Sequence, residues 1–344
     1  MALKRPKGPA GTLVVLEHTS KILADNPLGD PHVRKLAVWL PPAYVHGGRA
    51  RFPVLYDLVG FTGSGLSHVA WKPFGDNVPE RAARLMREGK MGPAIFVFAD
   101  CFTAFGGNQY VNSSAIGNYA DYLTREIIPF VDREFSTLAS RAHRGCFGKS
   151  SGGYGAILHG MKYARHWGAV ASHSGDAYFD FVYWCDWPNT LDELSKYKGR
   201  GDRVKRFLDA VWKKEKLSTA EGHALMNLCM AATYDPDPRA PLGFRLPFDL
   251  DTGEVFKERW NAWRRHDPVN LVSRYRKSLR TLKGIYIDCG RRDQYHIHYG
   301  SRILSKRLSQ ERIRHVYEEF DDNHSDIDYR MDRSLPFLYK ALKP

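Results

Sequence analysis

The stretch RGCFGKSSGGYGAI (residues 144–157) decides the fold, because it joins a predicted strand to a predicted helix through the five residues GKSSG (148–152). A sharp turn from strand to helix forces strained dihedral angles on its central residue. Such a turn leaves room only for very small side chains two residues before and two residues after the centre. Gly148 and Gly152 meet that requirement, so the stretch predicts a strand–turn–helix unit that exposes Ser150.

Ser150 is the predicted nucleophile. Choosing Ser151 instead would put Lys149 at the first crowded position of the turn. The N–H of Ser151, at the start of the predicted helix, can instead bind a developing oxyanion. A tight turn without chemistry would need the same two glycines, so the five residues alone leave that alternative open.

Outward from this stretch, short β-rich runs alternate with helical patterns, which is typical of an α/β fold with a mostly parallel sheet. The pattern predicts about eight strands, at residues 13–17, 35–40, 53–59, 94–99, 143–147, 169–173, 284–288 and 313–320. It predicts helices at residues 79–88, 119–135, 153–163 and 300–309.

The alternation breaks at residues 179–268, where charged helical runs (191–216 and 219–232) precede a loop rich in Pro, Asp and Gly (235–253). We therefore predict one domain, residues 1–178 and 269–344, interrupted by a helical cap at 179–268. Five of the eight tryptophans lie in the cap. Aromatic packing onto the main domain and the lining of an acyl pocket both agree with that concentration. The candidate pocket residues are Lys149, Trp184 and Trp187.

Two residues after late predicted strands complete a catalytic set. Asp293 follows strand 284–288 and a glycine turn, and His324 follows strand 313–320. A serine hydroxyl needs a base to take its proton, and the base needs a carboxylate that fixes its tautomer. We predict His324 as the base and Asp293 as the acid. The alternatives that stay open are His296 and His298 for the base and Asp176 for the acid.

The loop VGFTGSG (59–65) follows the third predicted strand and offers a second oxyanion donor. We predict that Phe61 supplies this N–H and that Gly60 allows close approach, while a plain glycine-rich loop is the alternative. In the preceding strand, Asp57 interrupts an apolar run. A buried carboxylate requires partners, which the sequence does not identify.

These residues resemble the putative esterase family of α/β-hydrolases, which includes S-formylglutathione hydrolases, feruloyl esterases, enterochelin esterases and mycobacterial mycolyltransferases. The resemblance is carried by LPPAY (40–44), FPVLY (52–56), GFTGS (60–64), YVNSSAIGNYADY (110–122), EIIP (126–129) and GKSSGGYGA (148–156). It implies an α/β-hydrolase fold, with Ser150, Asp293 and His324 at the positions of the family triad. The family often has other residues where Val59, Lys149 and Ser151 stand, which changes the polarity of the pocket but removes no backbone donor.

The composition and the charge pattern limit the kinds of partner and cofactor that we expect. The formal net charge is +13, but the basic residues at 196–216 alternate with acidic ones, which is typical of a solvated face. No metal or nucleotide motif occurs. We expect no cofactor, no metal, no nucleic acid and no membrane partner. The amino terminus lacks an apolar leader and the five cysteines lack paired spacing, so we expect a cytoplasmic protein with reduced thiols.

The leading hypothesis is a serine hydrolase of carboxylic esters that acts on a small aryl or anionic ester. The oligomeric state stays open, with a homo-oligomer as one alternative. An acyltransferase or thioesterase with the same triad is the first alternative. A non-catalytic binding protein on the same fold is the second, because a fold alone does not prove activity.

Overall fold

The computed structural model describes residues 10–197, 199 and 203–344. Within these residues, ten strands form in chain order: β1 Thr12–Thr19, β2 Val33–Leu40, β3 Val54–Leu58, β4 Ile95–Ala99, β5 Asn112–Ser113, β6 Gly117–Asn118, β7 Arg144–Lys149, β8 Ala169–His173, β9 Gly284–Gly290 and β10 Val316–Phe320. Eight of them build one sheet in the order β1-β2-β4-β3-β7-β8-β9-β10, and β5 pairs with β6 separately. All eight predicted strands are therefore confirmed.

Strand direction changes only at one edge of the sheet. β2 pairs antiparallel with both β1 and β4, and every pair from β4 to β10 is parallel. The carboxyl ends of β3, β7 and β9 therefore lie side by side along the carboxyl-terminal edge of the sheet, which is where ligands bind in open α/β sheets. The loops that carry the predicted site residues leave from this edge.

The helices are α1 Val78–Arg87, α2 Tyr119–Asp121, α3 Ile128–Glu134, α4 Ser151–Lys162, α5 Phe179–Val182, α6 Trp187–Ser195, α7 Arg203–Val211, α8 Thr219–Tyr234, α9 Lys257–Arg264, α10 Pro268–Leu271, α11 Arg276–Arg280, α12 Ile297–Gln310 and α13 Met331–Leu342. A π-helical segment, Tyr122–Ile127, joins α2 to α3. Strand side chains alternate between two faces: Leu55 and Phe96 pack with α1 and α13, whereas Val54 and Val97 pack with α4. Helices thus cover both faces of the sheet.

Helices α5 to α11 lie between β8 and β9, and loop 235–253 contains no helix, as the sequence predicts. The predicted helical run 191–216 is wrong as one element, because α6 ends at Ser195 and α7 begins at Arg203. Buried Trp187 and Trp263 of this region share one core cluster with the sheet. The domain boundaries at 178 and 269 stay a prediction. Residues 198 and 200–202, and residues 1–9 at the amino terminus, lie outside the described residues.

Asp267 joins the beginning of this region to its end. Its carboxylate accepts hydrogen bonds from the backbone N–H groups of Tyr178 (3.0 Å), Phe179 (2.8 Å) and Val269 (3.1 Å). Burial raises the pKa of Asp267 to about 6, although these three donors oppose the shift. The segment between Tyr178 and Asp267 therefore begins and ends at nearly the same point, and the chain then passes through α10 and α11 before it enters β9.

All five cysteines are free thiols, and Cys185 is exposed whereas the other four are buried. Across the described ranges, every helix is too short or too polar to cross a bilayer. The same residues contain no group of three or more His, Cys, Asp or Glu side chains that could hold a metal ion. The cytoplasmic location stays a prediction.

Candidate active site

Ser150 occupies a strained turn between β7, which ends at Lys149, and α4, which begins at Ser151. Its φ of 56° and ψ of −124° lie in a region that non-glycine residues rarely adopt. A Cβ atom added at Gly148 or at Gly152 would collide with the carbonyl oxygen of Leu58. Packing against the end of β3 therefore requires both glycines, and the predicted strand–turn–helix unit is present.

Gly60 differs from these two glycines. A Cβ atom there would lie 3.4 Å from the Lys149 oxygen and 3.6 Å from the Ser150 Cβ, which are ordinary contacts. The loop does lie close to the turn at Ser150 here, but a Cβ atom at residue 60 would also fit. The loop is instead held by hydrogen bonds: Tyr110 Oη donates to the Val59 oxygen at 2.7 Å, and Thr62 N–H donates to the Gly106 oxygen at 2.7 Å.

Asp293 and His324 form a buried pair. His324 Nδ1 lies 2.7 Å from Asp293 Oδ2, and the Tyr295 N–H donates to Asp293 Oδ1 at 2.9 Å. A Cβ atom at Gly290 would collide with the carbonyl oxygens of Asp322 and Asn323, so this glycine lets the loop that carries His324 cross the end of β9. The structure thus brings the predicted base and acid together across 31 residues.

The alternative acid lies on the same cavity wall as Ser150, but among the described residues neither it nor the alternative bases form a carboxylate–imidazole hydrogen bond. Asp176 Oδ2 accepts a hydrogen bond from the Tyr183 hydroxyl at 2.7 Å rather than holding an imidazole. Burial raises the pKa of Asp176 to about 6, although the Tyr183 hydrogen bond opposes the shift. The His296 side chain is exposed, and His298 packs on the ring of Tyr299 at 4.2 Å. The geometry therefore favours Asp293 and His324.

A cavity of about 540 Å³ opens beside the strained turn. Its wall includes Ser150, His324, Phe61 and Lys149, together with Asp176. Within the described part of the chain, the Ser150 hydroxyl makes no hydrogen bond, and neither the Phe61 N–H nor the Ser151 N–H donates one. A serine hydroxyl and two unused backbone donors are therefore free to meet a ligand.

Trp184 and Trp187 do not line this cavity, so their expected place in the pocket is wrong. Trp187 is buried against Phe248, with ring centroids 4.0 Å apart, and Trp184 packs on Trp260 at 4.9 Å. Each indole thus packs on another aromatic ring of this region, as aromatic side chains prefer, and Trp184 stays 40% exposed. Lys149 is the candidate pocket residue that does reach the cavity.

The sequence analysis missed His68 as a cavity residue. His68 Nδ1 lies 2.6 Å from Oδ2 of buried Asp57, and the ring lines the same cavity as Ser150. Burial lowers the pKa of His68, but the carboxylates of Asp57 and Asp328 raise it by more, so the net shift is upward. The acidic residue inside an apolar strand was the signal that a partner had to exist.

A second Ser–His–Asp arrangement also escaped the sequence analysis. His173 Nδ1 lies 2.7 Å from Asp288 Oδ1, and His173 Nε2 lies 2.8 Å from Ser334 Oγ. All three side chains are buried, and Arg330 Nε donates to Asp288 Oδ2 at 2.9 Å. We call these three residues the sealed chain, and we call Ser150, His324 and Asp293 the open set.

The sheet order, the strained serine after β7 and the Asp–His pair beyond β9 and β10 define an α/β-hydrolase fold. Within that class, the chain belongs to the putative esterase family, whose model matches residues 31–331.

Known relatives agree with this assignment. Two esterases of Mycobacterium tuberculosis, Esterase MT1326 and Esterase Rv1288, are each 32% identical to the chain over 160 residues. That alignment covers 44% of this chain and 32% of each relative, so the chain spans about a third of the curated relatives it matches.

Solved structures show the same fold at low sequence identity. A ferulic acid esterase superposes with a TM-score of 0.61 and 16% identity, covering 96% of this chain and 98% of that one. The S-formylglutathione hydrolase of Agrobacterium tumefaciens superposes with a TM-score of 0.59 and 17% identity, covering 98% of this chain and 97% of that one. A fluorophosphonate-binding serine hydrolase of Staphylococcus aureus superposes with a TM-score of 0.58 and 15% identity, covering 96% of this chain and 99% of that one.

Proposed function

We propose that this protein is a serine hydrolase that cleaves small carboxylic esters through an acyl-enzyme intermediate. The observation that carries the proposal is the shared cavity: Ser150 lies on its wall in a strained conformation, and His324, paired with Asp293, lies on the same wall. Strained residues cluster at active sites, where the surrounding structure holds them.

In the proposed first step, Ser150 Oγ attacks the acyl carbon while His324 takes the hydroxyl proton. Asp293 holds the imidazole through Nδ1 and stabilises the imidazolium without accepting the proton. The N–H groups of Phe61 and Ser151 donate to the oxyanion of the tetrahedral intermediate, and the N-terminus of α4 favours that negative charge.

The tetrahedral intermediate then collapses, and the bond to the alcohol oxygen breaks. His324 returns its proton to the departing alcohol. In the second step, water attacks the acyl carbon while His324 takes a proton from it. The bond to Ser150 Oγ then breaks, His324 returns its proton to Oγ, and the carboxylic acid leaves. An alcohol in place of water would give acyl transfer, and a thioester in place of the ester would use the same groups.

The names of the similar proteins support this proposal at the level of reaction class. The curated relatives are called esterases, and the solved structures include a ferulic acid esterase and a serine hydrolase. An aryl ester is therefore a suitable first probe.

The test compares Ser150→Ala with Ser334→Ala, which removes the serine of the sealed chain. We expect Ser150→Ala to lower hydrolysis of 4-nitrophenyl acetate by about 10⁴-fold and to abolish fluorophosphonate labelling. Ser334→Ala keeps the labelling, because Ser334 is buried away from the cavity. Labelling that persists in Ser150→Ala would overturn the proposal. Product analysis with an added alcohol separates hydrolysis from transfer.

A further inference from the structure

Lys149 is a half-buried cation on the cavity wall, directly before the proposed nucleophile. Among the described residues it forms no ion pair with a carboxylate within 4.0 Å. Asp328 is the carboxylate whose charge Lys149 influences, and Asp328 is already paired with Lys72. A partly desolvated cation is costly without a counter-ion, so this position favours a ligand that supplies a negative charge.

His68 adds a second positive group to the same wall. Its ring is mostly buried, and its Nδ1 is held by Asp57 at 2.6 Å. Because Asp57 and Asp328 raise its pKa, more of the imidazole is protonated near neutral pH than in a free histidine. The charged groups that act on it are Asp57 from β3, Asp328 from the loop after His324, and Lys72.

The carboxylates on the wall are already occupied. Asp176 accepts from the Tyr183 hydroxyl, and Asp328 pairs with Lys72. The nearby cations Arg291 and Arg292 do not compete, because their side chains are 55% and 64% exposed and lie beside Asp321. Among the described wall residues, Lys149 is a cation without a carboxylate partner, whereas the imidazoles of His68 and His223 are each held by an aspartate. His68 is the histidine that, like Lys149, acts on the charge of Asp328.

We propose that Lys149 and His68 form a recognition site for a carboxylate group on the ester that Ser150 cleaves. This inference rests on the proposed function, since it names the substrate class of the same cavity. The substrate then contains two acyl-type groups, a scissile ester that reaches Ser150 and a free carboxylate that reaches Lys149.

The experiment uses pairs of esters that differ only in the carboxylate. Mono-4-nitrophenyl glutarate is compared with its methyl ester, which places the charge on the acyl side. 4-Acetoxybenzoate is compared with its methyl ester, which places the charge on the alcohol side. We expect kcat/KM for the anionic ester to exceed that of its neutral twin by about tenfold in one pair, and 0.5 M salt to reduce the ratio.

Variants test which side chains cause the preference for the anionic ester. Lys149→Gln should bring the ratio close to one, and His68→Gln should lower it by about threefold. Arg291→Gln is the matched control, since it removes the same charge from an exposed side chain outside the cavity wall and should keep the ratio. Ratios of one or below in both pairs, or a ratio that survives Lys149→Gln, would overturn the proposal. A ratio kept in His68→Gln would overturn the role given to His68.

A binding measurement separates this inference from the proposed function. Calorimetric titration of Ser150→Ala with each anionic ester and its neutral twin should show the same preference, and the double variant with Lys149→Gln should lose it. If Ser150→Ala still hydrolyses esters, the proposed nucleophile is wrong. If Ser150→Ala is inactive and binds both members of each pair equally, the carboxylate site is wrong.

Discussion

The open set and the sealed chain contain the same three residue types in different surroundings. The sealed chain has the more complete hydrogen bonding, with 2.7 Å and 2.8 Å separations on the two sides of His173. The open set has one such separation, 2.7 Å between His324 and Asp293, and a serine that faces a cavity. A linear Ser–His–Asp geometry is therefore not enough to indicate an active site.

Backbone conformation and access distinguish the two sets. Ser150 has a φ of 56° at the start of α4, beside backbone N–H groups that a ligand can use. Ser334 lies inside α13 and is fully buried. The sealed chain also supports the open set, because the Ser150 N–H donates to the His173 oxygen at 3.0 Å. Under the proposed function, the open set performs the chemistry, whereas the sealed chain holds the backbone beneath it.

The largest expected effect comes from exchanging each histidine for glutamine. His324→Gln should lower kcat by about 10⁴-fold, because no base then takes the serine proton. His173→Gln should change kcat by less than tenfold but lower the free energy of unfolding by about 3 kcal/mol, since the buried Asp288 loses a partner. Ester hydrolysis and urea unfolding of both variants check this. Equal losses of kcat would remove the distinction between the two sets.

The next effect concerns pH, because the cavity contains a buried carboxyl at Asp176 with a pKa raised to about 6. The native state then holds this proton more tightly than the unfolded chain does. The stability it contributes is present below about pH 4 and is lost as the pH rises through about 6.

Asp176→Asn should therefore gain stability over the parent as the pH rises from 4 to 7, by roughly 3 kcal/mol in total. Urea unfolding of both proteins at each pH gives the difference, in which the other titrating groups cancel. A difference that stays constant with pH would contradict the raised pKa.

The smallest expected effect comes from moving the loop that carries His324. Gly290→Ala should push the loop that carries His324 away from β9, because the added methyl group meets two backbone oxygens. We expect kcat to fall by about 10–100-fold, since small displacements of a catalytic group are costly. The sealed chain, which does not include this loop, should stay intact. Unchanged kcat in Gly290→Ala would mean that the loop position is not critical.

Local patterns predicted much of the fold and part of the candidate site. The eight strands follow from short apolar runs, and the turn at Ser150 follows from the glycines on either side. The order of Ser150, Asp293 and His324 along the chain identified residues that the structure brings to one edge of the sheet.

Long-range pairing could not be predicted in the same way. Nothing in the spacing of His173, Asp288 and Ser334 indicates that they meet, because the contacts span 115 and 161 residues. Trp184 and Trp187 illustrate the opposite error. Their concentration in one region indicated a pocket, whereas each ring packs on another aromatic ring of that region, Trp184 on Trp260 and Trp187 on Phe248.

The three hydrogen bonds to Asp267 have a consequence for how this chain tolerates change. Because Tyr178 and Val269 are held by one carboxylate, the two ends of the segment between them stay together whatever its length. Closing a longer segment costs little additional entropy once its ends are fixed. Insertions or deletions in the exposed loops of this segment can therefore remodel the rim of the cavity, while its buried residues keep their packing on the sheet and the residues on the strand ends keep their positions.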